Sequence, residues 1–289
     1  MDGELTLRAH YWDDAKALAA FMDFIRKIHS IDFSSWESSG YWDDAYTPFS
    51  FFEGDSIVSS VCIYMLDAIV DGESRRLAQL SGVGTLENRR RKGFSRRLTE
   101  FGLEWAEGKH DGVFLFADAG AVPFYHRCGF TPMIEHVETV AAPSIAQRPG
   151  IVKLDPGRPR DLDKIYEYAE RRTPISHRFS VMNPKLVVFH ALHRLRDHAY
   201  EIPDLETIIF FERSLGRLTV FDIVGERVPQ LAEFYPYIAD AGDKVIGFHF
   251  HADKLGLDDS KVVPLFGNNP FVKGAFPVDD PVFPFTSKA

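Results

Sequence analysis

Between Gly82 and Leu98 the chain reads GVGTLENRRRKGFSRRL, with Arg89, Arg90, Arg91, Lys92, Arg96 and Arg97 gathered around Gly93 and Ser95. A strand ending near Thr85, a loop and a helix opening at Gly93 would set unpaired helix N-terminal amides beside that positive charge. Glycine lets the backbone approach a ligand closely, and serine is small enough to leave the amides open. The chemistry such a unit suits is the holding of a phosphate or pyrophosphate. It is neither a Walker A loop nor a G-x-G-x-x-G dinucleotide fingerprint, because the residues those motifs need are absent at the required spacing. Arg89, Arg96 and Arg97 also fit an ordinary solvated helix terminus.

A second unit follows at FLFADAGAVPFYHRCGF, residues 114–130. Taken together, the two stretches resemble the GNAT N-acetyltransferases. That family has a strand ending Val-x-Thr, then Arg/Gln-x-x-Gly-x-Gly/Ala opening a helix, and further on a strand, a short helix and "FYxxxGF". Arg90-Arg91-Lys92-Gly93-Phe94-Ser95 matches the first motif with Ser95 in the last small position, and Phe124 to Phe130 matches the second. The resemblance covers roughly residues 3–140. It implies that acetyl-CoA is the acyl donor and that amides from Arg91 to Ser95, Phe94 included, hold its pyrophosphate. It implies also that Arg90 and Lys92 add charge there, that Val83 and Thr85 pair with the pantetheine arm, and that the acetyl group passes directly to an amine. Tyr125 is the expected general acid for the departing thiolate; a packed aromatic is its other reading. No base is legible. The strand at 77–81 carries no carboxylate, Asp118 could equally cap the short helix, and His126 is expected to point elsewhere.

The elements that must position these residues follow from periodicity. ELTLRAHY alternates as a strand, WDDAKALAAFMDFIRKIH has helical spacing, and YTPFSFFEGDSIVSSVCIYMLDAI reads as a hairpin. The strand at 77–85 comes next, and the helix after Gly93 shows Leu98, Phe101, Leu103 and Trp105 as its apolar side. GVFLFAD is a short buried strand, and MIEHVETVA closes this half. The order predicts a mixed α/β sheet with helices on its faces, the GNAT fold by the resemblance.

AAPSIAQRPG at 141–150 reads as a linker. The pattern then restarts, and SFFEGDSIVSSVCIY (50–64) aligns with IFFERSLGRLTVFDI (209–223), which suggests an internal duplication. Two domains are expected, an intact one over 1–143 and a degenerate one over 151–289 that walls the substrate cleft. In the second, DIVGERVPQLAEF stands where a phosphate loop would be, and Pro229 removes an amide donor. His249, His251 and Asp253 share a strand face and could bind a metal, but polar residues facing a cleft or solvent is the stronger reading. No metal site is therefore expected. The terminal run FPVDDPVFPFTSKA reads as irregular, with aromatics that pack it onto the body.

The chain has 289 residues and a formal net charge of -9. That balance excludes general nucleic-acid binding and mildly favours a cationic acceptor. Cys62 and Cys128 lie in apolar stretches and read as buried free thiols. No apolar run reaches membrane-spanning length, and the first residues lack the pattern of a signal peptide, so the default is a cytoplasmic protein with no membrane partner. The reading as a whole is an N-acetyltransferase acting on a primary amine of a small molecule or peptide. A non-catalytic acyl-CoA-binding sensor or interaction protein is its rival; the missing carboxylate favours the rival and Tyr125 the enzyme.

Overall fold

A computed structural model describes residues 4–289; residues 1–3, at the head of the first predicted half, lie outside it. β1 (Leu5–Ala9) leads into α1 (Ala15–His29), which Asp14 caps by accepting from the amides of Lys16 and Ala17. The short α2 (Ser34–Ser38) follows. Then come β2 (Tyr46–Glu53), β3 (Ser56–Val70) and β4 (Glu73–Thr85), each antiparallel to the one before. α3 (Phe94–Ala106) crosses over to β5 (Gly112–Phe116), which runs parallel to β4. α4 (Val122–Arg127) and β6 (Thr131–Pro132) complete this stretch. Side chains of β3 alternate between two cores. Cys62, Tyr64 and Leu66 join Phe21, Phe24 and Ile25 of α1 on one face. Val61, Ile63 and Met65 join the core that contains Leu98 of α3 on the other. A strand covered on both faces reads as a continuous apolar run. On α3 the buried residues are Leu98, Thr99, Gly102 and Ala106, whereas Phe101 is exposed. The helix thus sits rotated from the predicted face, because Gly102 lets it lie directly on Ile63.

The second part begins with β7 (Glu135–Ala141) and β8 (Val152–Lys153), followed by α5 (Pro159–Glu170), β9 (Phe179–Val181) and α6 (Pro184–Leu192). β10 (Ala199–Ile202), β11 (Thr207–Ser214) and β12 (Arg217–Gly225) form a meander; α7 (Leu231–Ile238) then crosses to β13 (Val245–Phe248), parallel to β12. β14 (Lys261–Leu265) and β15 (Pro270–Lys273) follow.

Among the described residues, one sheet runs β1-β2-β3-β4-β5-β15-β6 with β9 added on β3, and the other runs β8-β10-β11-β12-β13-β7-β14. Position by position the two orders correspond, including the single parallel pair in each, β4 with β5 and β12 with β13. Two corrections to the sequence reading follow. The hairpin that matches β11–β12 in topology is β3–β4, not the β2–β3 segment at 50–64 with which it aligns in sequence. Nor does the 141–150 connector separate the sheets. β7 lies before it yet pairs with β13, and β15 lies far after it yet pairs with β5. Each part completes the other's sheet; β15 opens at Pro270, the last residue of the NNP stretch (268–270) that reads as irregular in sequence. No helix among the described residues is long and apolar enough to cross a membrane.

Candidate active site

The site is built where β4 and β5 part. Their pairing runs from Leu77 with Gly112 to Leu80 with Leu115, and stops. On its other side β4 remains paired with β3, but the register slips: Ser81 faces Cys62 and Gly84 faces Ser60. Two residues of β4, Gly82 and Val83, therefore oppose Val61 alone, which is a bulge, and bulges bend and twist the strand that carries them. Gly82 has φ +56°, and a Cβ there would lie 2.8 Å from the Tyr46 hydroxyl. Only glycine fits that bend. The result is a wedge open between Ser81–Thr85 and the end of β5.

One opening of the wedge is a groove of about 680 Å³. Val83, Thr85, Arg90, Arg91, Gly93, Phe94 and Ser95 line it; Lys92 does not. Arg91 and Gly93 both have positive φ, 65° and 78°. For arginine that is a strained conformation, of the kind that clusters at ligand clamps. A Cβ on Gly93 would meet no protein atom within 4 Å. Ser95 closes nothing off, since its hydroxyl is turned to Thr85 at 2.7 Å, and Thr85 is tied in turn to Ser59 at 2.8 Å. Arg90 Nε donates to the Thr85 carbonyl. The outer arginines have local duties as well. Arg89 pairs with Glu53, Arg96 pairs with Glu100, and Arg97 stacks over Phe51. Free helix amides at an unclogged, arginine-lined mouth fit the phosphates of a nucleotide-bearing acyl carrier. Cys128, predicted buried, is half-buried at the same groove.

The other opening is a cavity of about 330 Å³ walled mainly by aromatic and aliphatic side chains, among them Phe33, Trp36, Tyr46 and Phe116. Leu186 and Phe189 of α6 and the segment Lys288–Ala289 complete it. His29, Val83, Asp118, Ala121 and Tyr125 line both openings and mark their junction. Tyr125 is 5% exposed, and burial, then the Asp118 carboxylate, pushes its hydroxyl well above the usual phenol range. It stays protonated at neutral pH and can donate. Asp118 makes no side-chain cap bond to the turn that follows it, so its carboxylate is left at the junction. His126 is exposed and packs its ring on Phe271. His29 and the aromatic wall were not read from the sequence. His29 stands beside Arg26 and Lys27 in the last turn of α1, where basic residues complement the helix dipole, so its position in sequence carries no signal of a site.

The corresponding place in the other sheet is closed. At the start of α7, Gln230 and Glu233 form a capping box, with the Gln230 amide donating to Glu233 at 2.8 Å. Arg227 reinforces it by pairing with Glu233. The amides that could bind an anion are satisfied internally, and a carboxylate occupies their mouth. The metal candidates dissolve likewise. β13 ends at Phe248; His249 packs on Phe221 and Phe285, His251 Nε2 accepts from the Val282 amide at 3.3 Å, and Asp253 accepts from His177. They anchor the terminal segment and do not face solvent as a set. Among the described residues no group of His, Cys, Asp and Glu could hold a metal ion.

A mixed sheet wedged open at one parallel pair, with a basic helix mouth at the wedge, defines the acyl-CoA N-acyltransferase fold. Residues 36–133 match the model of the acetyltransferase (GNAT) domain, so the chain carries a GNAT acetyltransferase domain and is an acyltransferase that draws on acyl-CoA. No curated protein matches the sequence. Among the solved structures similar to it are three GNAT-fold proteins. Eis1 from Mycobacterium abscessus has a TM-score of 0.58 at 16% identity, covering 93% of this chain and 73% of its own. A GCN5-related N-acetyltransferase from Anabaena variabilis ATCC 29413 has a TM-score of 0.55 at 14% identity, covering 92% and 72%. Another from Kribbella flavida has a TM-score of 0.54 at 16% identity, covering 94% and 71%. At these identities the likeness is one of fold.

Proposed function

We propose that the protein transfers an acetyl group from acetyl-CoA to a primary amine borne on a compact apolar or aromatic body. One observation carries this reading: a basic groove and an apolar cavity meet at a junction lined by a buried, protonated tyrosine. The groove's amides and arginines would hold the carrier's phosphates, and Val83 and Thr85 its arm. The carrier supplies an activated thioester carbon. Tyr125 would donate its proton to the sulfur as the bond to carbon breaks. The cavity's walls would exclude water and hold the acceptor's body, at roughly 25 cal/mol for each Å² of apolar surface covered.

Charge in the cavity favours an acceptor with a single positive charge over a polycation, which narrows the cationic acceptor that net charge mildly favours. Asp118 is the one carboxylate side chain among its described lining residues, and Lys288 adds a positive charge that Glu135 neutralises. The acidic balance lies elsewhere on the molecule. Residues 151–289 serve as a wall of the cavity through Leu186, Phe189 and the terminal segment, in keeping with a degenerate second unit of a duplicated fold.

The test is thiol release from acetyl-CoA with 2-phenylethylamine, spermidine and a lysine-containing peptide as acceptors. The expected order of kcat/KM puts 2-phenylethylamine first. Preference for spermidine would overturn the apolar acceptor. A higher kcat/KM with octanoyl-CoA than with acetyl-CoA would reassign the cavity to the acyl chain.

A further inference from the structure

We propose that His29 is the general base of this reaction, taking through Nε2 the proton that the acceptor nitrogen loses as it bonds to the acyl carbon. The proposal rests on the amine-acylation reading above and names the group that the strand at 77–81 does not supply.

The position of His29 is set by its helix. Phe21, Phe24 and Ile25 bury the preceding turns of α1 in the core, and the helix stops at His29 because Ser30 turns left-handed at φ 57°. The end of α1 lies directly on β4: a Cβ on Gly84 would come within 2.7 Å of Ile28 and 3.5 Å of His29 Nε2. A larger residue at Gly84 would clash with Ile28, the neighbour of His29 on α1. His29 Nε2 is buried and has no hydrogen-bond partner among the described residues. An orphan polar atom of this kind is costly to leave unsatisfied. A substrate N–H arriving at the junction would relieve it. His29 lines the groove and the cavity, and so does Tyr125, so a base and an acid border the space the thioester carbon must occupy.

Toward the groove His29 shares its surroundings with Arg89, Arg90, Arg91, Arg96, Arg127 and Cys128, and at the junction and cavity with the groups that follow. The Asp118 carboxylate comes from the end of β5, the Gly82 backbone from β4, Tyr46 from β2, Tyr125 from α4 and Lys288 from the terminal segment. Burial lowers the imidazole below its ordinary 6.5, and Asp118 and the Gly82 backbone bond oppose this in part. A neutral ring at pH 7 is the form that accepts a proton. The step balances. The amine nitrogen forms the N–C bond with its lone pair, and one N–H proton passes to Nε2. The C–S bond breaks with its electron pair on sulfur, which takes the Tyr125 proton. One proton returned from imidazolium to phenolate, directly or through solvent, resets the enzyme, so the amine's proton ends on the thiol.

The experiment compares the pH dependence of kcat for wild type and His29→Gln, with saturating acetyl-CoA and 2-phenylethylamine. Wild type should show an acid limb of unit slope with its midpoint below 6.5. His29→Gln should lose that limb and about 10²-fold or more in plateau kcat, with acetyl-CoA affinity by calorimetry and the melting curve unchanged. His190, His249 and His251 are held neutral far below this limb and do not contribute to it. A variant that keeps wild-type kcat, or one whose kcat falls while the acid limb persists, would overturn the base assignment and leave acyl transfer standing. Should His29→Gln fail to melt cooperatively, His29→Asn carries the same comparison. A wild type inert toward the amines would overturn the acyl-transfer reading and this proposal together.

Discussion

At the scale of single residues, the junction turns on proton affinity. Burial raises the affinity of the Tyr125 hydroxyl for its proton, so it stays protonated, while burial lowers that of the His29 ring. Desolvation acts against the charged form in both cases, and it works in opposite directions because one group charges by losing a proton and the other by gaining one. Tyr125→Phe keeps the ring among Phe124, Phe130 and Phe271 and removes only the hydroxyl. Turnover should fall about 10²–10⁴-fold with acetyl-CoA affinity near wild type, since the missing proton matters when the thiolate departs. Steady-state kinetics with calorimetry on the same preparation checks both, and undiminished turnover would remove Tyr125 from the mechanism.

At the scale of elements, helix N-termini decide what each sheet can bind. α3 opens on Gly93 with no side-chain cap and arginines around it, whereas α7 opens on a closed capping box. The same element is therefore left uncapped in one part and sealed by a carboxylate in the other. Gly93→Asp would put a negative charge into open groove space at a left-handed position. It should abolish acetyl-CoA binding without unfolding the protein, because the new Cβ meets no protein atom within 4 Å and the left-handed backbone costs an aspartate only about 1–2 kcal/mol. Titration calorimetry should give one equivalent per chain for wild type and no measurable heat for the variant. Two equivalents would mean that α7 binds as well.

At the scale of the whole molecule, the terminal segment ties the two parts together. Arg172 grips Asp222 with two bonds, of 2.9 and 2.6 Å, and Thr286 donates to the same carboxylate. His190 Nε2 meets the Lys288 carbonyl at 2.7 Å, His249 stacks near Phe285, and His251 receives the Val282 amide. Burial holds His190 and His249 down at about 3 and His251 at about 4. In the unfolded chain they titrate near 6.5, so between 6.5 and the folded values the unfolded state binds more protons. Their contribution to stability is intact above 6.5 and is lost as pH falls toward the folded values. At pH 5 the linkage amounts to about 2 kcal/mol for each fully buried ring. The denaturation midpoint should drop steeply from pH 7 to pH 5, and a flat profile over that range would show that the rings are not held neutral.

The anion-binding mouth was legible in the sequence because its parts are contiguous. Strand end, basic loop, glycine and helix fall within GVGTLENRRRKGFSRRL, and helix geometry alone aims the amides outward. The mixed α/β order, the closed second mouth and the place of Tyr125 were legible for the same local reason. What lay beyond reach depends on contacts between distant segments. The exchange of β7 and β15 between sheets is such a case: short strands with similar apolar patterns can pair with either sheet, and only the competition among all edges decides. The aromatic cavity draws on α1, α2, β2, α6 and the last residues together, and no window of sequence contains them. His29 and the buried histidines share a residue type with any solvated surface position. Their protonation, and so their chemistry, was decided by the tertiary structure, which alone sets how much water each ring retains.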